Sequence, residues 1–284
     1  MIVVTGATGN IGRSLTRQLL AEGASVRALS RNPESAGLPA EAEVVQADLT
    51  GSGSFDRALR GAEALYLNLA AGGGGAVGQV IDAAVEAGVR RIVLNSSLSV
   101  TGTPADDENF IARMHVAAEQ AVRASGLEWT FVRGGMYATN ALDWAEGIRA
   151  AGVVRGPYPE AAAAPVHEDD LAAVATRALL DGSGDLVGKA PYVTGPQAVT
   201  LAGQVAAIGR AIGREVRFER VSPETAAEEL VARGLPKEAA FQLIGYFGSS
   251  VGTDPLITDE VQRITGRPAR TFEEWARDHA HDFR

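Results

Sequence analysis

Cysteine is absent from all 284 residues, which excludes disulfides, thiolate metal sites and cysteine nucleophiles. Histidine is scarce: His115, His167, His279 and His281 are all there is. They never fall into a spaced ligand set, so no metal is expected, and the pair near the C-terminus reads as a solvated tail. No apolar run approaches the roughly 18 residues that span a bilayer. The first strand-like run begins at residue 2, leaving no room for a signal peptide. Positive charge is in deficit as well. A net charge of −9 without a compensating basic stripe argues against nucleic acid or an anionic membrane as a partner. The expectation is a soluble, cytoplasmic monomer or homodimer.

What is present is an alternation of short apolar runs and amphipathic stretches through the first half, the pattern of βαβ units feeding a parallel sheet. Strands are expected at 2–5, 25–30, 43–46, 64–67, 91–95 and 129–132. Ile11, Leu15, Leu19 and Leu20, and again Val77, Val80, Ile81, Ala84 and Val85, fall at helical spacing. The fold class is α/β: a Rossmann-type doubly wound parallel sheet with a smaller C-terminal substrate-side α/β region. Residues 1–135 form the dinucleotide-binding part, and 136–284 a substrate-binding region of the same structural unit. Helices are expected at 170–180 and 201–212 in the latter.

The stretch VTGATGNIG places Gly6, Gly9 and Gly12 between the first strand and the first helix. Glycines there permit a tight turn, close approach to a pyrophosphate and close helix packing, while the helix N-terminus offers free N–H groups. Thr8, Asn10 and Ile11 belong to the same loop. After the second strand the chain reads LSRNP. An acid in this position would accept bonds from the ribose hydroxyls of NAD; Ser30 and Arg31 suit a 2′-phosphate instead, so the expected cofactor is NADP(H). Asp48, in QADL, stands either at the adenine or as the cap of the following helix. Leu49, Leu69 and Ala70 complete the expected cofactor contacts.

With VTGATGNIG, LSRNP and QADL in these places, the chain resembles the NmrA-like branch of the atypical short-chain dehydrogenase/reductase superfamily. That branch includes NADPH-dependent quinone and triphenylmethane reductases and redox-sensing regulators. HVAAEQAVRASGLEWTFVRGGMY and APVHEDDLAAVATRALL are similar to its later landmarks. On physical grounds Asp169 and Asp170 are expected to cap the helix they begin.

The resemblance implies a Tyr and, four residues on, a Lys as acid/base dyad, with a Ser after the fifth strand. Here Ile111 falls at the Tyr position, His115 at the Lys position and Ser97 at the Ser position, with Glu119 one turn beyond His115. Only the serine matches. His115 is expected to hold the ribose or shuttle a proton, since an ordinary imidazole titrates near 6.5; a His bonded to Glu119 or a carbonyl is the structural alternative. Tyr137 is the candidate replacement phenol.

These residues imply an NADPH-dependent oxidoreductase acting on a quinone-like or other conjugated aromatic small molecule. A non-catalytic NADP(H) sensor and a redox-neutral isomerase or lyase are the competing readings. The Ala-, Gly- and Arg-rich composition hints at a high-GC genome and secondary metabolism. The substrate pocket is expected from 72–75, 97–102, 136–140 and 241–247, the last either lining it or packing as a core helix.

Overall fold

The computed structural model describes residues 1–48, 55–69 and 76–284, with only the backbone of Asp56. The chain divides into two compact units. The first comprises Met1–Gly134, Glu168–Val193 and Arg263–Gly266, and the second Gly135–His167, Thr194–Gln262 and Arg267–Arg284. The first break between them falls after Gly134. The segment Glu168–Val193 then returns to the first unit, a return with no local signal in the chain.

In the first unit, β1 (Ile2–Val4), β2 (Val26–Ser30), β3 (Glu43–Gln46), β4 (Ala64–Asn68), β5 (Arg91–Ser97) and β6 (Glu128–Gly134) realise the six expected strands. They pair in parallel in the order β3-β2-β1-β4-β5-β6, and Tyr192–Val193 adds a seventh, β9, beside β6. This is the Rossmann order, and the strand sequence reverses between β1 and β4, where such sheets take their ligands. The central strands are apolar on both faces because helices cover both: β1 is IVV, wholly buried. Around the sheet run α1 (Asn10–Ala21), α2 (Phe55–Leu59), α3 (Val77–Glu86), α4 (Phe110–Ala124) and α6 (Glu168–Leu180). The apolar stripes of α2, α3 and α4 meet one face of the sheet in a core containing Leu29, Leu65, Leu67, Ile81, Ile92, Leu94, Val122 and Phe131.

The acidic start of α6 reaches a neighbouring helix. Asp169 accepts from the Ser14 hydroxyl and lies 3.5 Å from Nη2 of Arg17, and its carbonyl takes Nε2 of Gln18 at 3.0 Å. These bonds fasten α6 to α1 across the sheet's helical layer.

The second unit contains α5 (Ala145–Ala151), β7 (Val153–Gly156), β8 (Ala162–Ala163), β10 (Val199–Thr200), α7 (Leu201–Ile212), β11 (Arg217–Arg220), α8 (Pro223–Ala232), α9 (Lys237–Ser249) and α11 (Phe272–Asp278), while α10 (Glu260–Thr265) straddles a boundary. One core gathers Ile148, Ile208, Phe272, Trp275 and Phe283. The C-terminus is therefore no solvated tail. His279 stacks on Trp275 at 4.6 Å between ring centroids, and its Nδ1 lies 2.8 Å from Oδ2 of Asp282. Only His281 remains largely exposed. Among the described residues no helix is long and apolar enough to cross a membrane, and no His/Cys/Asp/Glu group is arranged to hold a metal.

Candidate dinucleotide-binding site

The loop from Thr5 to Gly12 sits at the carboxyl end of β1, beside the sheet's reversal. The Thr5 hydroxyl ties it to the neighbouring strand, donating to the Tyr66 carbonyl at 3.0 Å and accepting the Asn68 N–H at 2.8 Å. Gly6 adopts φ +63°, a conformation that side chains disfavour. At Gly12 a Cβ would stand 2.1 Å from the Gly6 carbonyl oxygen, so helix and loop meet there with no room for any side chain. Gly9 differs: a Cβ would meet nothing of the protein nearer than 3.4 Å. The packing of the described residues does not itself require that bareness.

Thr8, Gly9 and Asn10 form the exposed rim, while the Ile11 side chain is core. Helix α1 starts without a side-chain cap or an acid in its first turn. Its N-terminal N–H groups and positive end thus face outward uncompensated, which is the arrangement a pyrophosphate requires. The residues fit the dinucleotide.

On the adjoining loop after β2, Ser30 is buried and its hydroxyl accepts the Asn32 N–H at 3.1 Å; Nε2 of Gln46 donates to the Arg31 carbonyl at 3.3 Å. The backbone is pinned while the Arg31 side chain stands exposed, with no ion-pair partner among the described residues. Asp48 is exposed two residues beyond β3. The next described helix is α2 (Phe55–Leu59), and the residues between it and Asp48 lie outside the described ones. Leu69 packs its side chain into the core, leaving only its backbone for a ligand. Leu49, Ala70 and the 72–75 loop lie outside the described residues.

Helix α4 carries the positions where the acid/base dyad was sought. Asn109 caps it, accepting the Ile111 and Ala112 N–H groups at 2.9 and 3.0 Å. Ile111 is 44% exposed, so an apolar side chain presents itself where the resemblance calls for a phenol. Glu119 is buried and fully engaged. Arg133 grips it through Nε at 2.9 Å and Nη2 at 2.7 Å, and the Ser96 hydroxyl donates at 2.7 Å. Arg133 continues to the Tyr192 hydroxyl at 2.9 Å, which donates to the Val100 carbonyl at 3.1 Å. The buried chain Ser96–Glu119–Arg133–Tyr192 escaped sequence reasoning. Its members come from β5, α4, β6 and β9, and no local pattern joins them.

Among the described residues, His115 has no hydrogen bond to Glu119 and its buried Nδ1 has no partner. Burial pushes its pKa down to about 4, with the Glu119 charge opposing. The imidazole is therefore neutral at pH 7, able to exchange hydrogen bonds and ill suited to cycling through imidazolium. The expected near-neutral proton shuttle is corrected on this ground.

A folded-state pKa depressed below the unfolded value means stability that is complete above about 6.5 and is lost as pH falls toward 4. With the pKa at about 4, that loss is on the order of 3 kcal/mol, from about 1.4 kcal/mol per unit. His115→Phe is expected to lack this part of the acid sensitivity in urea unfolding followed against pH. Parallel profiles for the two proteins would refute the assignment.

Ser97 follows Ser96 on β5 and so faces the opposite side of the sheet. Its Oγ lies 2.8 Å from that of Ser99 and accepts the Ser99 N–H at 3.1 Å. The segment beyond is stiffened by Asp106, whose carboxylate takes the Thr101 hydroxyl at 2.6 Å and the Thr101 and Gly102 N–H groups at 3.0 and 2.9 Å. The Thr101 hydroxyl bond leads the causes that hold its pKa below the ordinary carboxylate value. Tyr137 belongs to the second unit, where it bridges to Val166. The 136–140 and 241–247 segments also lie in that unit. Within it α9 is a helix that buries Ala240 and Ile244 and leaves Phe241 and Tyr246 exposed.

A family model described as NAD(P)H-binding matches residues 6–182. The chain belongs to that family. The membership agrees with the dinucleotide-binding signature read from VTGATGNIG, LSRNP and QADL. The cofactor class is NAD(P)H.

The chain is 41% identical over 284 residues to the (4-alkanoyl-5-oxo-2,5-dihydrofuran-3-yl)methyl phosphate reductase of Streptomyces griseus, covering 100% of this chain and 99% of that one. Among solved structures, the NADPH-dependent quinone oxidoreductase of Escherichia coli in complex with NADPH superposes with a TM-score of 0.79 at 27% identity, covering 100% of both chains. NmrA, a negative transcriptional regulator in complex with NADP, shares the fold with a TM-score of 0.73 at 22% identity, over 98% of this chain and 94% of that one.

Proposed function

We propose that this member of the NAD(P)H-binding family is an NADPH-dependent reductase of conjugated, electron-poor small molecules, either quinones or doubly activated alkenes. The observation that carries the reading is the lack of an available proton donor on α4. Ile111 has no proton to give, His115 is neutral at pH 7, and Glu119 is consumed by Arg133 and Ser96. Such a site is unsuited to an isolated ketone, whose developing alkoxide needs a donor. It suits an acceptor that spreads the incoming charge over its own carbonyl groups. The family relative from Streptomyces griseus is named for an alkene carrying two carbonyl substituents, and the Escherichia coli neighbour for quinones; both are acceptors of this kind.

When bound, the reduced dinucleotide supplies the hydride. The rim Thr8–Asn10 and the start of α1 hold its pyrophosphate, and Arg31 pairs with the 2′-phosphate, with Ser30 and Asn32 fixing that turn. Ser97 polarises an acceptor oxygen, and the neutral imidazole of His115 donates or accepts a hydrogen bond beside it. In an alkene the hydride adds to the carbon β to the carbonyls, the electron pair moves onto oxygen as an enolate, and water protonates the α-carbon. Holding donor and acceptor in register supplies up to about 7–11 kcal/mol without any acid. Ala70, Leu49, Leu69 and Asp48 remain proposed contacts of the adenosine half, and Tyr137 a proposed substrate-side phenol.

The test is anaerobic loss of the reduced-nicotinamide absorbance with quinones, doubly activated alkenes and simple ketones in parallel. Saturable turnover of the first two classes, with ketones at least about a hundredfold slower by kcat/KM, is the expected result. Comparable ketone reduction would overturn the reading. Silence toward every acceptor despite tight NADPH binding would favour the sensor reading, which draws its own support from the exposed Phe241 and Tyr246 on α9.

A further inference from the structure

Arg13, the residue after the last glycine of the phosphate loop, was not singled out by the sequence. Its Nε donates to the Thr8 carbonyl at 2.9 Å, and its Nη1 to the Gly37 carbonyl at 2.8 Å. Thr8 is on the exposed rim of the phosphate loop. Gly37 closes the loop that begins at Arg31, and it takes φ +57°, turning its carbonyl in a conformation few other residues adopt. The intervening chain is folded on itself: Pro33–Ser35 form a single 3₁₀ turn, the Ala36 N–H bonds the Pro33 carbonyl at 3.1 Å, and Ala36 is buried. The loop is therefore held at Arg31 by Gln46, in its middle by Ala36, and at its end by Arg13. Only the last of these connects it to the phosphate loop.

We infer that Arg13 is a positioning residue for cofactor choice: it fixes the span between the loop that holds the pyrophosphate and the loop that presents Arg31. The inference rests on the reading that Arg31 meets the 2′-phosphate. A dinucleotide carrying that phosphate engages both loops at once, so the distance between them matters to it. One lacking the phosphate engages chiefly the first loop and tolerates a shift of the second. A planar guanidinium reaches two carbonyls in fixed directions, which a lysine ammonium on its flexible stem does not.

The experiment measures NADPH and NADH dissociation constants, by cofactor fluorescence, for the unmutated protein and for Arg13→Met, Arg13→Lys, Arg31→Met and the Arg13→Met/Arg31→Met double variant. Arg13→Met is expected to weaken NADPH by at least about tenfold and NADH by no more than about twofold. Arg13→Lys should behave as the Met variant does. In the Arg31→Met background the Arg13 change should cost NADPH binding almost nothing further, because the span no longer serves a contact. Equal losses for both dinucleotides would make Arg13 a general buttress and overturn the inference, as would unchanged NADPH binding, full rescue by Lys, or additive losses in the double variant. A failure of the Arg31 reading shows separately, as equal NADPH and NADH affinity in the unmutated protein, and it would take this inference with it.

Discussion

Glu119→Ala is expected to destabilise the protein by about 3–5 kcal/mol, the usual consequence of removing one partner from a buried ion pair. The carboxylate and the guanidinium of Arg133 are 3% and 11% exposed as side chains, and the two are joined by two bonds that use both carboxylate oxygens. Burial works against the Arg133 charge, and the bonds and charge of Glu119 outweigh it, holding the guanidinium above its ordinary pKa. Without Glu119 that charge stays buried with the Tyr192 hydroxyl as its hydrogen-bond partner, and the Ser96 hydroxyl loses its acceptor. Glu119→Gln, which keeps the volume and some bonds, should cost less. Replacing both members, Glu119→Leu with Arg133→Leu, should recover much of the loss, because no uncompensated charge remains. Urea unfolding of the four proteins checks this; a loss below about 1 kcal/mol for Glu119→Ala would show that the pair contributes little net stability.

The second large effect is on cofactor choice. Arg31→Glu is expected to weaken NADPH binding by about ten- to a hundredfold or more while leaving NADH equal or stronger. Charge-assisted hydrogen bonds of the kind Arg31 would make to a phosphate are each worth about 1.5–3 kcal/mol, and about 1.4 kcal/mol is a factor of ten. The introduced carboxylate adds repulsion toward a 2′-phosphate and supplies the acceptor that ribose hydroxyls seek in NAD-preferring folds. Since Arg31 is exposed and its backbone is pinned by Ser30 and Gln46, the exchange should leave the loop intact. Dissociation constants for both dinucleotides decide the matter, and a variant that still prefers NADPH would remove Arg31 from the site.

Much of the first unit was legible in the chain because its signals are local. A strand, a tight glycine turn and a helix follow one another within the first 21 residues, and each is encoded by neighbours in sequence. Gly6 and Gly12 are glycines for reasons internal to that turn, one a positive φ and the other a 2.1 Å approach to backbone. The missing phenol at Ile111 was equally plain, since a helical position can be counted from a motif. Two-residue strands escaped notice: β9 has no periodicity to detect, and it exists because β6 offers Arg133 and Gly134 as parallel partners.

The amino-acid sequence by itself thus determined the sheet, the glycine-rich turn and the cofactor class, all of which depend on residue types at short, regular spacings. Only the tertiary structure decided what the charged and polar side chains do. Glu119, offered by the sequence as a companion for His115, is taken by an arginine 14 residues away. His115 loses its near-neutral titration because burial, which spacing does not reveal, opposes its charge. Arg13 reaches Gly37 across 24 residues, and Asp169 reaches Ser14 across 155. Periodicity fixes which face of an element is apolar. The partner of a buried charge is fixed by whichever distant donor the folded chain brings within hydrogen-bonding distance.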